Sequence, residues 1–410
     1  MKKIKNGIKE HPLSIFPDFR KLFAGRVISA IGDKFFAIAI AWWIVSEVGA
    51  KSKLHLGLLM AVNFLPVVFF GPFLGTLVDR SDKRRMMLWA DFFRFIFIFI
   101  LCLLAFEGKI KLGALYLLCF LISFFGPMFE SAVSSSLLKL TSREHLGAAA
   151  ALDSSVMQIS NVFGSALGSV FIATIGIAGA FMFDAFTFLV SFGAVWFIKT
   201  SLGASRNKEK YFHQFKEGIF YIFENRAVLW LMLCFTAFNF FVGPLLILIP
   251  MLVKFIMEEN VTWLAILETF FALGSSAMAV VMSFKKTFRK VYISFFISLM
   301  LMGLSFFGLY FASNKYAITF LIFSCGVALG LGNALAIGLF QRIIREDIKG
   351  RFFSVLTTFA YAVLPLTFML NGFLAESISV KFTILYNSVS LILLSTIILL
   401  IPRIASEDIE

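Results

Sequence analysis

Residues 79–111 decide the fold: Asp79-Arg80-Ser81-Asp82-Lys83-Arg84-Arg85 leads into MMLWADFFRFIFIFILCLLAF at 86–106, which ends at Glu107-Gly108-Lys109-Ile110-Lys111. Between the two charged hairpins lie 21 residues in which only Asp91 and Arg94 carry charge. A hydrocarbon core about 30 Å thick is crossed by roughly 20 apolar residues in a helix. Inside it only helices and closed barrels leave no backbone group unpaired. The stretch therefore predicts one membrane-spanning helix between two polar turns.

The same alternation runs along the whole chain. Spans are predicted near 22–48, 54–78, 86–106, 112–138, 150–175, 179–199, 227–255, 261–283, 291–312, 316–340, 352–375 and 380–402, twelve in all. The tightest connections, at Gly176–Gly179 and Ser377–Ser379, are where two spans could merge into one. Composition agrees, with 410 residues that are 60% apolar and 15% charged, against roughly 45–50% and 25% in soluble domains. Its 54 Phe exclude a disordered chain, because disorder requires low hydrophobicity.

Lys and Arg concentrate in cytoplasmic loops and so report orientation. With the N-terminus inside, inner segments hold 27 basic residues, outer loops seven, and three (Arg26, Lys34, Arg94) lie within spans. Both ends are expected in the cytoplasm of a bacterial inner membrane. The basic start, Met1–Lys21, lacks the short apolar region and cleavage site of a signal peptide and is expected to remain as a tail. The net charge of +13 then follows from topology and anionic lipid, with no nucleic-acid partner. The longest hydrophilic stretch, Thr200–Arg226, follows the sixth span. It divides the chain into a six-helix half at 1–200, a cytoplasmic linker at 201–225 and a second half at 226–410. Basic hairpins after the second and eighth spans, Asp79–Arg85 and Lys285–Lys290, hint at duplication. Secondary transporters are commonly built from such halves, with substrate bound near the midplane.

Several motifs carry a family resemblance: Gly75-Thr76-Leu77-Val78-Asp79-Arg80 with Lys83-Arg84-Arg85, Asp18-Phe19-Arg20-Lys21-Leu22, Gly32-Asp33, Ala90-Asp91 with Arg94, Phe125-Gly126-Pro127, Asp184-Ala185-Phe186-Thr187-Phe188, and Gln341 with Lys349-Gly350-Arg351-Phe352. In order and spacing the chain resembles the major facilitator superfamily, in the branch with macrolide efflux proteins and the enterobactin exporter. The resemblance spans about residues 18–375. It implies an all-α integral membrane protein of twelve helices in two six-helix halves, a monomer that rocks one half against the other in alternating access. It also implies that Gly75, Asp79, Arg80, Arg84 and Arg85, joined by Asp91 and Arg94, latch one access state. Two positions depart from the pattern. Asp82 stands where the signature loop has a second glycine, and Ser165 stands where antiporters of the superfamily often have proline after Gly164.

Charges in hydrocarbon are costly and mark cavities or ion pairs. Asp33 and Arg26, seven residues apart, share a helix face with Ser29 between them. Asp33 is expected either to couple transport to protons or to form a permanent pair with Arg26 or Lys34. Glu130, followed by Ser131, Ser134 and Ser135, is the second coupling candidate or a partner for the same two cations. Asp91 and Arg94, at i, i+3, are placed for an intrahelical pair or a link to the signature loop. Asp184 is expected to cap or pair, and Glu268 is a weaker cavity candidate. Trp42, Trp43 and Trp263 read as interfacial belt residues. Gly243-Pro244 and Pro250 can break the seventh span.

No GxxxxGK[ST] loop, HExxH motif or cysteine–histidine grouping occurs in the sequence, so ATP-driven transport, zinc proteolysis and a cofactor-bearing enzyme have no sequence support. The expectation is a proton-coupled exporter of a small amphiphilic or cationic organic molecule, its other partners being protons and lipids. A siderophore or lysophospholipid carrier is the alternative on the same fold; a channel or a membrane receptor is the alternative outside it.

Overall fold

The computed structural model describes residues 11–203, 211–284 and 291–399, every regular element of which is a helix. The second basic hairpin, Lys285–Lys290, and the centre of the linker lie outside the described residues. Helices α1 (Pro17–Glu47), α2 (Ser52–Asp79), α3 (Lys83–Phe106) and α4 (Leu112–Leu140) match the first four expected spans within a few residues. Next come α5 (Leu146–Ile159), a π turn (Ser160–Gly164) and α6 (Ser165–Trp196). Linker helix α7 is Tyr211–Glu224. The remainder are α8 (Arg226–Val242), α9 (Leu245–Phe255), α10 (Val261–Ser283), α11 (Val291–Phe311), α12 (Lys315–Ile343), α13 (Lys349–Ala362), α14 (Leu364–Ser377) and α15 (Val380–Ile398).

Among the described residues, eleven segments are long and apolar enough to cross a bilayer, with α8–α9 and α13–α14 each counting as one. The remaining expected span, the fifth, runs from Leu146 through the π turn to Gly176, where the helical run breaks at φ +73°. Glycine is needed there because a side chain is strained at that φ. The break separates spans five and six at the tight connection read from the sequence. Gly243-Pro244 divides the seventh span into α8 and α9, as the breaker pair predicts.

Short polar side chains start the crossings. Asp82, Asn225, Asn260, Asn314 and Ser379 each accept a backbone N–H at the head of α3, α8, α10, α12 and α15. Such caps satisfy donors the helix leaves open. This explains the departure at Asp82: its Oδ1 accepts from Arg85 N at 3.0 Å, a bond glycine could not make.

The chain forms two compact units, residues 1–40 with 65–208, and residues 41–64 with 209–410. The tip of the α1–α2 hairpin thus counts with the second unit. There Gly57 abuts Gly372 and the Phe368 carbonyl, Lys53 Nζ sits 4.9 Å from the Phe255 ring centre, and Lys254 Nζ lies 5.5 Å from that of Trp42. In the first unit an apolar cluster including Phe19, Leu22, Val78, Met87, Phe129, Val133, Ala149 and Ile198 joins the helix ends nearest the basic loops. Asp18, in the first motif of the resemblance, anchors this end. Its Oδ2 accepts the backbone N–H groups of Lys199 and Thr200, both at 2.9 Å, and the Thr200 hydroxyl at 2.8 Å.

In lipid, helices associate through close packing and small residues rather than by escaping water. In the second unit α10 and α12 meet backbone to backbone. A Cβ at Gly326 would stand 2.1 Å from the Phe271 carbonyl oxygen, and one at Gly274 would stand 2.4 Å from that of Phe323. Gly326→Ala forces the two backbones apart, so we expect a loss of about 1–3 kcal/mol or more. Thermal unfolding in detergent reads this directly, and an unshifted melting temperature would refute the tight crossing. Among buried polar side chains, Asn371 and Asn387 tie α14 to α15, the Asn387 amide donating to Asn371 Oδ1 at 2.5 Å. Trp263 packs 6.2 Å from Tyr316, with Lys315 over its ring.

Candidate functional site

The polar groups of the first unit gather on α1, α3, α4, α5 and α6. Arg26 of α1 is 6% exposed. Its Nη2 donates to both carboxylate oxygens of Glu130 on α4, at 2.8 and 2.7 Å, and its Nη1 donates to Asp153 on α5. Guanidinium geometry suits this double pairing, since one terminal nitrogen can serve one carboxylate while the other remains free to donate to a second. The Glu130 side chain stays 59% exposed and that of Asp153 20%. The bridge thus joins a buried cation to one open and one largely closed acid.

A second centre lies around Arg94 of α3, whose Nη2 donates to Asp33 Oδ1. Its guanidinium also covers the Phe188 ring of α6 at 4.1 Å, a cation–π contact. The Arg94 side chain is 12% exposed and that of Asp33 40%. Behind this pair, Asp91 and Asp184 have no exposed surface. Asp91 Oδ2 accepts the Ser191 hydroxyl of α6 at 2.7 Å. Its other oxygen, and Asp184 Oδ2, have no hydrogen-bond partner among the described residues. Space here is tight: a Cβ at Gly32 would stand 2.2 Å from Thr187 Oγ1 and 2.5 Å from Asp184 Oδ1. Gly32 before Asp33 is therefore what admits α6 so close to α1.

The geometry redistributes the pairings that spacing suggested. Arg26 and Asp33 share a face of α1, yet each turns to a different helix. Arg94 binds Asp33, 61 positions away, and Asp91 binds Ser191 on α6, so the hydrogen bonds of both leave α3. Glu130 meets Arg26, one of the two cations the sequence offered it. Lys34 packs its stem against Gly164 beside the π turn, and Ser160 in that turn donates to the Ala30 carbonyl. The π turn thus supplies the irregularity that proline provides elsewhere, while Gly164 and Gly168 receive Lys34, Phe35 and Ile38 of α1.

Asp153 and Ser191 were not singled out by sequence. Asp153 carries a charge within the apolar run Ala148–Ala151, Leu152, Val156, and that isolation was its only signal. The loop residues take mixed positions. Asp79 accepts the Ser135 hydroxyl of α4 at 3.1 Å, and Gly75 lies against Ser131. Arg84 donates to the Trp196 carbonyl, whereas the Arg80 and Arg85 side chains have no partner among the described residues. Glu268 belongs to the second unit.

Residues 11–410 match the sequence profile of the transmembrane secretion effector family. The chain belongs to this family, within the major facilitator superfamily. It is 21% identical to macrolide efflux protein A of Streptococcus pyogenes over 96% of this chain and 98% of that one. It is 24% identical to the MFS-type transporter YkuC of Bacillus subtilis over 96% and 94%. A putative bacilysin exporter of Bacillus subtilis, BacE, is 32% identical over 52% of each chain. Among solved structures, the POT family transporter PepTSo superposes with a TM-score of 0.76 at 11% identity, covering 94% of this chain and 97% of that one. A bacterial homologue of the iron transporter ferroportin gives 0.74 at 14% identity, with 93% and 98% covered. The fold of this secretion-effector chain is therefore that of twelve-helix membrane transporters, and its family and fold are those of transporters rather than enzymes.

Proposed function

We propose that this chain is a proton-coupled exporter of a small amphiphilic or cationic organic molecule, working by alternating access in a bacterial inner membrane with both ends cytoplasmic. The excess of basic residues in the inner loops supports the orientation, and the efflux proteins among its relatives support the direction of transport. The observation that carries coupling is the pairing of exposed acids with buried arginines: Glu130 with Arg26, and Asp33 with Arg94.

An antiporter needs proton and substrate to exclude one another. An exposed carboxylate held by a buried guanidinium has that property, because a proton on Asp33 or Glu130 removes the charge that holds the arginine. A cationic substrate approaching the ionised acid competes with the arginine for the same oxygens. Each event can shift a conformational equilibrium only through its differential affinity for the two states, and here the differential lies in the bridge. Within this reading Asp33 and Glu130 are the coupling acids, and Arg26 and Lys34 are cavity charge partners. Gly75, Asp79, Arg80, Arg84, Arg85, Asp91 and Arg94 form the latch, in which Asp79–Ser135 and Arg84–Trp196 join the loop to α4 and α6.

Inverted membrane vesicles test this with ethidium as the lipophilic cation and a macrolide as the bulky alternative. We expect uptake of at least one of them under an imposed proton gradient and its collapse on adding a protonophore. Gradient-independent equilibration of both would overturn proton-coupled export.

A further inference from the structure

On the surface of α3 and α6 lies an apolar groove of about 520 Å³, lined by Arg85, Leu88, Trp89 and Phe92 of α3 and by Phe192 and Trp196 of α6. The spacing puts Arg85, Leu88, Trp89 and Phe92 on one stripe of α3, with Phe192 and Trp196 one turn apart on α6. The rings of each wall pack against one another. Trp89 packs at 6.1 Å from Phe92 and 5.6 Å from Phe93, and Phe192 stacks on Trp196 at 6.0 Å. Arg84 pins the Trp196 wall by donating to its carbonyl while lying 5.8 Å from its ring. The two tryptophans nevertheless remain 51% and 55% exposed.

Charge complementarity identifies the occupant. Among the described residues, the groove's only charged lining residue is Arg85. Asp82, the nearest acid in sequence, uses Oδ1 to cap the Arg85 backbone N–H, and the Arg85 guanidinium has no partner among the described residues. The adjoining positions, Lys83 and Arg84, add positive charge, and no acid lines the walls among the described residues. A cation at the head of an aromatic slot, at the helix ends that carry the basic loops, fits an amphiphile with an anionic head and apolar tails. Basic pockets at this depth recognise anionic lipid headgroups, and tryptophans at headgroup level position the chains.

We propose that the groove is a binding site for one anionic phospholipid, whose headgroup engages Arg85 and whose acyl chain lies between the Trp89–Phe92 and Phe192–Trp196 walls. The lipid would bridge α3 and α6. Those two helices are also joined on their inner sides by Asp91–Ser191, and Asp91 and Ser191 each adjoin a groove residue in sequence, Phe92 and Phe192. The site is thus placed to stiffen the contact behind Arg94, making lipid charge a regulator of the polar centre.

Brominated lipids test the site on the purified full-length chain, because bromine quenches tryptophan only on contact. Brominated phosphatidylglycerol is expected to quench more than brominated phosphatidylcholine in mixed micelles, with a preference of about fivefold in apparent affinity, the value of one interfacial basic residue. Trp89→Phe and Trp196→Phe keep the aromatic walls, and together they should abolish the difference in quenching between the two lipids. Arg85→Gln should bring the affinity ratio to about one. Equal quenching by both lipids in the wild type would overturn the proposal. So would a phosphatidylglycerol preference that survives in the double tryptophan variant, which would place the lipid elsewhere. Because the tryptophan substitutions are conservative, they decide the matter even if Arg85→Gln folds poorly. If ethidium instead displaces the brominated lipid competitively, the groove is a substrate site and the lipid assignment fails.

Discussion

Arg94→Met is expected to cost about 3–5 kcal/mol, the usual penalty for leaving a buried charge without its partner. The reason is local. Arg94 donates to Asp33, and Asp91 and Asp184 behind it are fully buried, each with an oxygen that has no hydrogen-bond partner among the described residues. Removing the guanidinium leaves Asp33 without its donor and takes a cation away from the fully buried Asp91 and Asp184. Methionine keeps the bulk over the Phe188 ring, so the loss reports charge rather than volume. Arg94→Lys should recover part of it, since the charge returns without the planar contact at 4.1 Å. Melting temperature and yield in detergent are the readouts. A fully stable Arg94→Met would mean that the bridge to Asp33 does not hold α3 to α1.

Asp33→Asn should behave in the opposite way, stable but uncoupled. An asparagine carbonyl still accepts from Arg94, so the link between α3 and α1 is kept in a neutral form. What disappears is the titratable group. Under the proposed mechanism, uphill transport in vesicles should fall to the level seen without a proton gradient while substrate binding persists. Uphill transport that persists in a stable Asp33→Asn protein would release Asp33 from coupling. The same assay on Glu130→Gln then becomes decisive, because Glu130 is the other exposed acid on a buried arginine.

These expectations depend on pairings that spacing does not reveal. Arg26 and Asp33 lie on one face of α1, which suggested a common pair, but a helix face about 100° wide meets more than one neighbour. The rotation of α1 against α4, α5 and α6 directs Arg26 to Glu130 and Asp153, 104 and 127 positions away. For Asp91 and Arg94 the i, i+3 geometry was available, and the hydroxyl of Ser191 and the carboxylate of Asp33 compete more effectively for the same donors and acceptors. Asp18 shows the reverse limit. Its motif was visible, and its bonds to the Lys199 and Thr200 backbone came only with the fold.

The crossings and, within a few residues, their boundaries were legible in the sequence alone. The bilayer supplies one length scale, and each helix satisfies its own backbone, so no partner is needed to specify it. The breaks at Gly176 and Gly243-Pro244 were equally local, set by glycine's freedom in φ and proline's missing N–H. Tertiary structure decided the rest: which acid meets which arginine, that the 41–64 tip packs with the second unit, and that Arg85 heads an aromatic groove. Helices in lipid are chosen by fit between faces rather than by burial from water, and a face is a property of two helices, not of either sequence by itself.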